Sequence, residues 1–584
     1  MLKLIAQILA ATLVCAALNS CGGNGGSLND PYNTKGVAPS TLSNLSPSSV
    51  PVGSPAFTLI LTGTGFQAGG TVTWAGKDIG PYTFISSTQV TILIPAELVS
   101  KQGKVNIVVV DPGTGTKQNG FVSFDVTPFV DSGCVLFGTY DFFFTGFDSS
   151  GPMTSGGVFG VDADGNISGE MDFKNRLETR AAQPITSGKC TNGTVPNTGT
   201  VTLTTSSGTF TYSFATQTSQ PTDRGRLAES NDKTGVSGTG RYVFIHPGSI
   251  QGDYVLAMVG ADLTGHRMGV VGRFTDTDAT TGVLSNGLAD VNDNGTVTSS
   301  AALTGSISAP DAYSRSTATV VIGSHTFHLA FYTLRAEAAF VMDVDAVGSG
   351  AMLAGFLDQQ VNAEHYGNAN LGSAFVFSSW GIIPGATPLS DTRIGVSSAN
   401  DPPGGTFNLE MDAVTGSTNA VDQTVPVTYS IASSGRGTMS YTLGQAYNYV
   451  MYLYDSNAGF TLQTDAAGTV QFGFFEAQIA STVFNNAYID GTFASAGWFN
   501  PVLSSPIVAT QYVFNNGNIS ATTPSGPLTG SYTVSASGRG SGTVSQPLLG
   551  SNNIVFYIVD NTSLAVMGAD PLAGHGDAIN YMHQ

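Results

Sequence analysis

Seven histidines, four cysteines and a scatter of acids are the groups in this 584-residue sequence that could do chemistry. His325 and His328 ("HTFH") stand three apart, and on a strand that spacing sends them to opposite faces, so they do not make a metal pair. Asp162 and Asp164 are of the residue type a glycosidase pairs. They lie in "VDADGN", where Asp serves turns through hydrogen bonds to its own backbone. "DVNDNG" sets Asp290, Asn292 and Asn294 at alternate positions ahead of Gly295, like the start of a calcium loop. The bidentate acid such a loop needs is missing, because Ala301 stands there, and Asn-Gly is also a common hairpin turn. The two readings of that segment are a candidate metal site and a bare turn, and we expect the turn. "GRGSG" from Gly538 joins two predicted strands and opens no helix, so it lacks the dipole that cradles phosphate. No His-Glu-x-x-His, Gly-x-Ser-x-Gly or P-loop pattern occurs. The expectation is a protein that is not an enzyme and needs no cofactor.

These residues sit in repeats. "GTYDFFFTGFDSSG" from Gly138 returns as "GDYVLAMVGADLTG" from Gly252, with Gly146 and Gly151 matching Gly260 and Gly265 at the same offset, 252 − 138 = 114. "FVMDVDAVGSGAMLAGFLDQQ" (Phe340–Gln360) returns as "FTLQTDAAGTVQFGFFEAQ" (Phe460–Gln478), sharing a Gly-Phe-x-acid-x-Gln ending. "YSIASSGRGTMS" from Tyr429 returns as "YTVSASGRGSGTV" from Tyr532. Four copies follow, at 129–248, 249–362, 363–480 and 481–584, the last without the Gln ending, as a terminal repeat allows. The Gly-Arg-Gly turns place Arg436 and Arg539 alike, either as recognition points or as structural arginines bonding loop carbonyls.

Within a copy the pattern is that of strands. "TVTLTTSSGTFTYSF" alternates apolar and hydroxyl residues on either side of Ser206–Gly208, which predicts a hairpin. Turn signals every 8–12 residues or so suit a sandwich or barrel, and seven or eight strands fit each copy. The predicted fold class is all-β: an N-terminal immunoglobulin-like sandwich followed by tandem antiparallel β-meander repeats, barrel- or sandwich-like. Whether one copy closes by itself or two share a barrel is open at this level. Charged residues make up 10 % of the chain and the net charge is −19, so no basic patch exists to neutralise nucleic acid.

The N-terminus resembles a bacterial lipoprotein signal. An apolar run from Leu4 to Leu18 ends in "LNSC", Leu18–Cys21, similar to a lipobox. The resemblance implies a signal peptide at 1–20, Cys21 as the acylated first residue, and a flexible tether at 21–38. Gly22, with no Asp at that position, leans toward the outer membrane. With Cys15 lost in the signal and Cys21 acylated, Cys134 and Cys190 remain as an even pair in an oxidising compartment, where a disulfide is expected. A bridge closing their loop of 190 − 134 = 56 residues stabilises by about 4 kcal/mol in the chain-entropy picture. Residues 39–128 resemble an IPT/TIG domain, an immunoglobulin-like module, through Pro47, Gly53, the Gly63/Gly65/Phe66 turn, Val72, Trp74, Pro95 and Gly103. Residues 128–584 resemble tandem β-repeat lipoproteins of Gram-negative bacteria, which implies an architecture and no reaction. The expected function is a lipid-anchored cell-envelope protein presenting its repeats for binding or adhesion. Its expected partners are the membrane, through the lipid, and envelope polysaccharide or another cell-surface protein. The alternatives are small apolar-ligand-binding barrels and a polysaccharide-acting enzyme with an unrecognised site.

Overall fold

A computed structural model describes residues 40–52, 54, 57–112, 121–127, 134–216, 224–229, 236–245, 250–262, 264–276, 282–335, 337–348, 351–384, 389–466, 468–480, 484–496, 509–523, 526–546, 550–569 and 580–583. Cys21 lies outside them, as do the signal and the tether. Two compact units form, one built from residues 58–93 and 104–125 with the chain before 49, the other from 49–57, 94–103 and everything after 125. Among the described residues the regular structure is strand, with short 3-10 turns and no α-helix.

The strands between Thr41 and Thr127 form two sheets. One sheet orders Thr41–Ser46, Phe57–Thr64, Gln89–Ile94 and Thr83–Ser86; the other orders Ser49–Pro51, Val122–Thr127, Gly103–Val110, Thr71–Trp74 and Lys77–Pro81. Alternate residues turn inward, among them Leu59, Leu61, Val90 and Ile92 from the first sheet and Val72, Ile107 and Val109 from the second. Trp74 packs against Phe124 at 5.2 Å between ring centroids.

The second unit holds four barrels. Barrel 2 closes with eight strands from Gly252–Ala261 to Met352–Gln359, barrel 3 with eight from Phe375–Ile383 to Phe472–Ala477, and barrel 4 with eight from Gly491–Ser495 to Asn580–His583. Each meander therefore closes by itself, which leaves no edge strand exposed. Barrel 1, from Gly138–Asp148 to Ser237–Phe244, is a nine-stranded sheet whose two edge strands, Thr179–Ile185 and Ser187–Asn192, are consecutive in the chain. It is the same meander with one strand bent at Thr186. The Cys134–Cys190 disulfide is formed in its core, beside Tyr140, Phe159 and Ile167.

Eight strands make a barrel narrow enough for its own side chains to fill. In barrel 2, Tyr254, Leu256 and Met258 point inward with Val270, Phe331 and Leu353. Each buried aliphatic or aromatic side chain is worth about 1.5–3 kcal/mol. A partly open pocket lined by Ile250, Asp276, Ile307 and Ser316 measures about 20 Å³, room for one water. The outward residues of the same strands are apolar as well, because they dock on neighbouring barrels. Phe143 and Val158 of barrel 1 meet Phe340 and Met342 of barrel 2; Val255 and Val271 of barrel 2 meet Tyr452 and Phe460 of barrel 3; Val376 and Ile394 of barrel 3 meet Val555 and Tyr557 of barrel 4. Ala494, Ala496 and Ala509 of barrel 4 then pack on Ala215 and Ala228 of barrel 1. Burial on both faces explains runs such as "YVLAMV", which are apolar at every position instead of alternating.

Candidate functional site

The repeated polar residues converge on the contacts between barrels. Asp172, Asp290 and Asp412 each occupy the third strand of their barrel, opposite a register shift in the ladder. At each shift the facing strand puts one residue in the left-handed region: Ala182 at φ 50°, Ser300 at φ 52° and Asp422 at φ 53°. That bulge turns a backbone N–H onto the carboxylate, at 2.7 Å from Ala182, 3.1 Å from Ser300 and 3.0 Å from Asp422.

The following barrel supplies the other donors. Arg315 forks onto Asp172 through Nε and Nη2 at 2.8 and 3.0 Å, and Tyr332 donates its hydroxyl to the same acid. Arg436 forks onto Asp290 at 2.8 and 2.7 Å, joined by Tyr452 at 2.7 Å. Arg539 forks onto Asp412 at 2.7 and 2.7 Å, joined by Tyr557 at 2.7 Å. Each arginine heads the fifth strand of its meander, and its ladder partner on the next strand is the tyrosine of the same set. The carboxylates are all but sealed from water. Such a buried bidentate pair is strong when its acceptors are fully used, and each carboxylate here accepts four hydrogen bonds. Hydrogen bonding to Asp290 holds Arg436 above the usual guanidinium range, and Asp412 does the same for Arg539. Burial, and then the neighbouring carboxylate, pushes the Tyr452 and Tyr557 hydroxyls well up.

One sequence expectation is corrected by this geometry. Arg436 and Arg539 are not recognition points on an exposed turn, nor do their side chains cap loop carbonyls; each fork is closed on a carboxylate of the preceding barrel. Asp290 is not free to ligate a metal, since its oxygens already accept from Arg436, Tyr452 and Ser300. Asn292 donates to the Gln463 carbonyl of barrel 3 at 2.7 Å and accepts from Gly295 N–H at 2.8 Å. Asn294 and Gly295, at φ 48° and 90°, form the two-residue hairpin turn that Asn-Gly favours. Among the described residues no three His, Cys, Asp or Glu converge on a common point. Asp162 accepts from the N–H groups of Asp164 and Asn166 in its own turn, and His328 pairs with Asp345 while His325 stacks near Phe327.

The other repeated motifs also face a neighbour. Gln360, the last residue of the Gly-Phe-x-acid-x-Gln ending, donates to the Ser434 and Leu453 carbonyls of barrel 3 at 3.0 and 2.7 Å. Gln478 repeats this on Ser537 and Ile558 of barrel 4 at 3.1 and 2.8 Å. Each amide lies against the glycine of the Gly-Arg-Gly turn: a Cβ on Gly435 would fall 2.5 Å from Gln360, and one on Gly538 2.8 Å from Gln478. Tyr429 and Tyr532, which open the same motif, donate to the carbonyls of Asn368 and Asn486 in the short turns that plug barrels 3 and 4.

Barrels 1 and 2 share further buried charge. Lys174 pairs with Asp343 and donates to the Ala351 carbonyl at 2.9 Å. Burial raises Asp343 to about 7, with Lys174 pulling the other way. Where the last strands of barrels 1, 2 and 3 approach, the Arg241 guanidinium lies 3.9 Å from the Phe356 ring centroid. Burial lowers Arg241 to about 10 against the opposing pull of Asp358 and Glu476. Glu476, partly open to solvent in this junction, is raised to about 7 by burial, with Arg241 drawing it back.

Sequence reasoning found Arg436 and Arg539 through their glycines and named Asp290 only as a candidate metal ligand, but missed Arg315, which sits in "YSRST", and the acids Asp172 and Asp412. A signal was present: "EMD" occurs at both Glu170–Asp172 and Glu410–Asp412, and Tyr332, Tyr452 and Tyr557 each follow Phe or Met.

No family model matches the chain, and no curated protein does. Solved structures of transferrin-binding protein B do. A double mutant from Haemophilus parasuis is 12% identical, with 73% of this chain and 95% of that one covered and a TM-score of 0.18. The protein from serogroup B Neisseria meningitidis is 10% identical, with 64% and 83% covered and a TM-score of 0.15. At these scores neither fold nor function is transferred from them.

Proposed function

We propose that the protein is a lipid-anchored component of the cell envelope, on the outer membrane, whose four barrels act as one rigid head for binding or adhesion and carry out no catalysis. The observation that supports this reading is the thrice-repeated Asp–Arg–Tyr contact. It commits the repeats' shared charged residues to holding barrels together, and catalysis would need such groups free beside a nucleophile or water. In this reading Cys21 carries the lipid, residues 21–38 are the tether, and 39–128 form a spacer of the IPT/TIG kind. The partner is envelope polysaccharide or a cell-surface protein.

Binding of the purified full-length protein to whole cells and to extracted envelope polysaccharide tests the proposal, beside a panel of glycan, ester and peptide substrates. Saturable binding without turnover is expected. Turnover of any panel substrate, abolished by changing one acid or one histidine, would overturn the reading.

A further inference from the structure

The interior of barrel 3 departs from that of barrel 2 at one end. The clamps align the two barrels: Arg436 with Arg315, Tyr452 with Tyr332, and the ladder partners of Asp412 and Asp290, Ile394 and Val271. Phe460 and Phe474 align with Phe340 and Phe356 through their shared pairing. In that register Asp391, Arg393, Tyr441, Tyr449, Thr461 and Gln471 occupy the inward positions that in barrel 2 hold Met268, Val270, Val320, Leu329, Val341 and Leu353. All six counterparts belong to the apolar core of barrel 2. The six polar residues are as deeply buried as the apolar ones they replace, with Arg393, Thr461 and Gln471 at 0% exposure.

Their hydrogen bonding is incomplete in one direction. Arg393 Nη1 lies 2.9 Å from Asp391 Oδ1, yet no guanidinium N–H is aligned on an acceptor, and Nε, Nη1 and Nη2 are all buried without a hydrogen-bond partner. The Gln471 amide nitrogen and the Thr461 hydroxyl are also buried and unbonded. The Gln471 carbonyl oxygen is already taken by the hydroxyls of Tyr449 and Ser379. The deficit is therefore one of acceptors. A buried cation whose N–H groups are not aligned on acceptors is costly even with Asp391 beside it, and barrel 2 shows that the same fold closes well with Val at this position.

We propose that this end of barrel 3 is a binding site for a small organic monocarboxylate. The planar guanidinium fork matches a carboxylate in bidentate geometry. Tyr447, stacked on Arg393 with the guanidinium carbon 4.0 Å from the ring centroid, fixes the plane of the fork. The Gln471 amide nitrogen and the Thr461 hydroxyl are further unbonded donors in the interior of the same barrel. Asp391 beside Arg393 leaves the cluster with little net charge, which favours a monoanion over a phosphate dianion. Phe377, whose ring centroid is 6.0 Å from that of Tyr449, and Met411, in the same core cluster, supply apolar wall for the rest of such a ligand.

Thermal unfolding of the full-length protein, with acetate and benzoate each compared with its neutral amide and with inorganic phosphate, tests the site. A saturable rise of a few degrees with at least one carboxylate is expected, absent with its amide and with phosphate. In Arg393→Met the rise should vanish; because the change leaves Asp391 buried without its cation, the ligand-free variant should itself melt lower, and the readout is the ligand-induced rise alone. The amide comparison stands without the variant should the variant fail to fold. Equal effects of acid and amide, an effect of phosphate alone, no effect of either carboxylate, or a rise that survives in Arg393→Met would each overturn the proposal.

Discussion

Removing the Asp412 carboxylate should loosen barrel 4 from barrel 3 more than removing the whole clamp does. In Asp412→Ala, the Arg539 fork, the Tyr557 hydroxyl and the Asp422 N–H lose their common acceptor. Arg539 is 10% exposed and cannot turn fully to water. A stranded buried charge costs about 3–5 kcal/mol, and a buried hydroxyl left unpaired about 1–3 kcal/mol more. Arg539 keeps a distant interaction with Asp422 at 3.9 Å, so the lower part of that range, about 4 kcal/mol, is the working figure. Arg539→Met strands Asp412 with two of its four donors and should cost about 3 kcal/mol. The double variant places apolar groups on both sides of a contact already lined by Val376, Ile394 and Val555. It should lose less than either single variant, a coupling of several kcal/mol in a double-mutant cycle.

Four docked barrels do not guarantee two-state unfolding, so hydrogen exchange in the strand Gly550–Asp560 is the proper readout. A loss of about 4 kcal/mol speeds its exchange roughly a thousandfold where local opening limits it. Strands of barrel 2 should be unaffected. A double variant that costs the sum of the single changes, or Asp412→Ala within about 0.5 kcal/mol of the parent, would refute the reasoning.

Other outcomes follow from the same contacts. Gln478→Ala removes two bonds to backbone carbonyls and should destabilise the barrel 3–barrel 4 contact by about 1–2 kcal/mol, read by exchange in the Arg539–Gln546 strand. Glu476, raised from 4.5 to about 7, binds its proton more tightly in the folded protein than in the unfolded chain. Its contribution is therefore most favourable below its unfolded value and is lost as pH rises through about 7, and Glu476→Gln should flatten the stability profile between pH 5 and 8. Thiol labelling of denatured, unreduced protein should find neither Cys134 nor Cys190, and reduction should lower the melting temperature. Cys21→Ala should shift the protein from membranes to the soluble periplasmic fraction; retention on membranes would sink the anchor assignment.

The strands were legible because turn chemistry and β-branched runs are local signals. "SSG" at Ser206–Gly208 marks the hairpin between Thr198–Thr205 and Gly208–Thr216 as expected. Closure of each copy on itself was not legible, since it depends on pairing between strands about a hundred residues apart, as in Gly252–Ala261 with Met352–Gln359. The contacts between barrels were half legible. Glycine makes Arg436 and Arg539 conspicuous, whereas Asp290 sits in a segment whose local pattern imitates a calcium loop, and its true partner is Arg436, 146 residues away. Local sequence names the residue types able to bond; only the docked barrels say which of them meet.

The divergence of the outer copies has the same physical origin. At the head of the matching strand, where the later barrels carry Arg opposite Tyr, barrel 1 has Thr198 opposite Ala215. It follows no barrel whose acid would need them, and Ala215 instead packs on the alanines of barrel 4. Ser213 and Thr216 complete that contact, with Ala509 N–H donating to the Ser213 hydroxyl at 3.0 Å and Gln511 donating to the Thr216 carbonyl at 3.0 Å. The fourth contact thus joins the last barrel to the first through small residues, and the array closes after four copies. That changes what repetition means for function. Beads on a tether each offer a whole surface and combine through avidity, whereas here every barrel buries two of its sides against neighbours. A partner meets a composite surface to which several barrels contribute, and a single excised repeat would expose the apolar rows around Val255, Val271 and Val376 that the intact head covers.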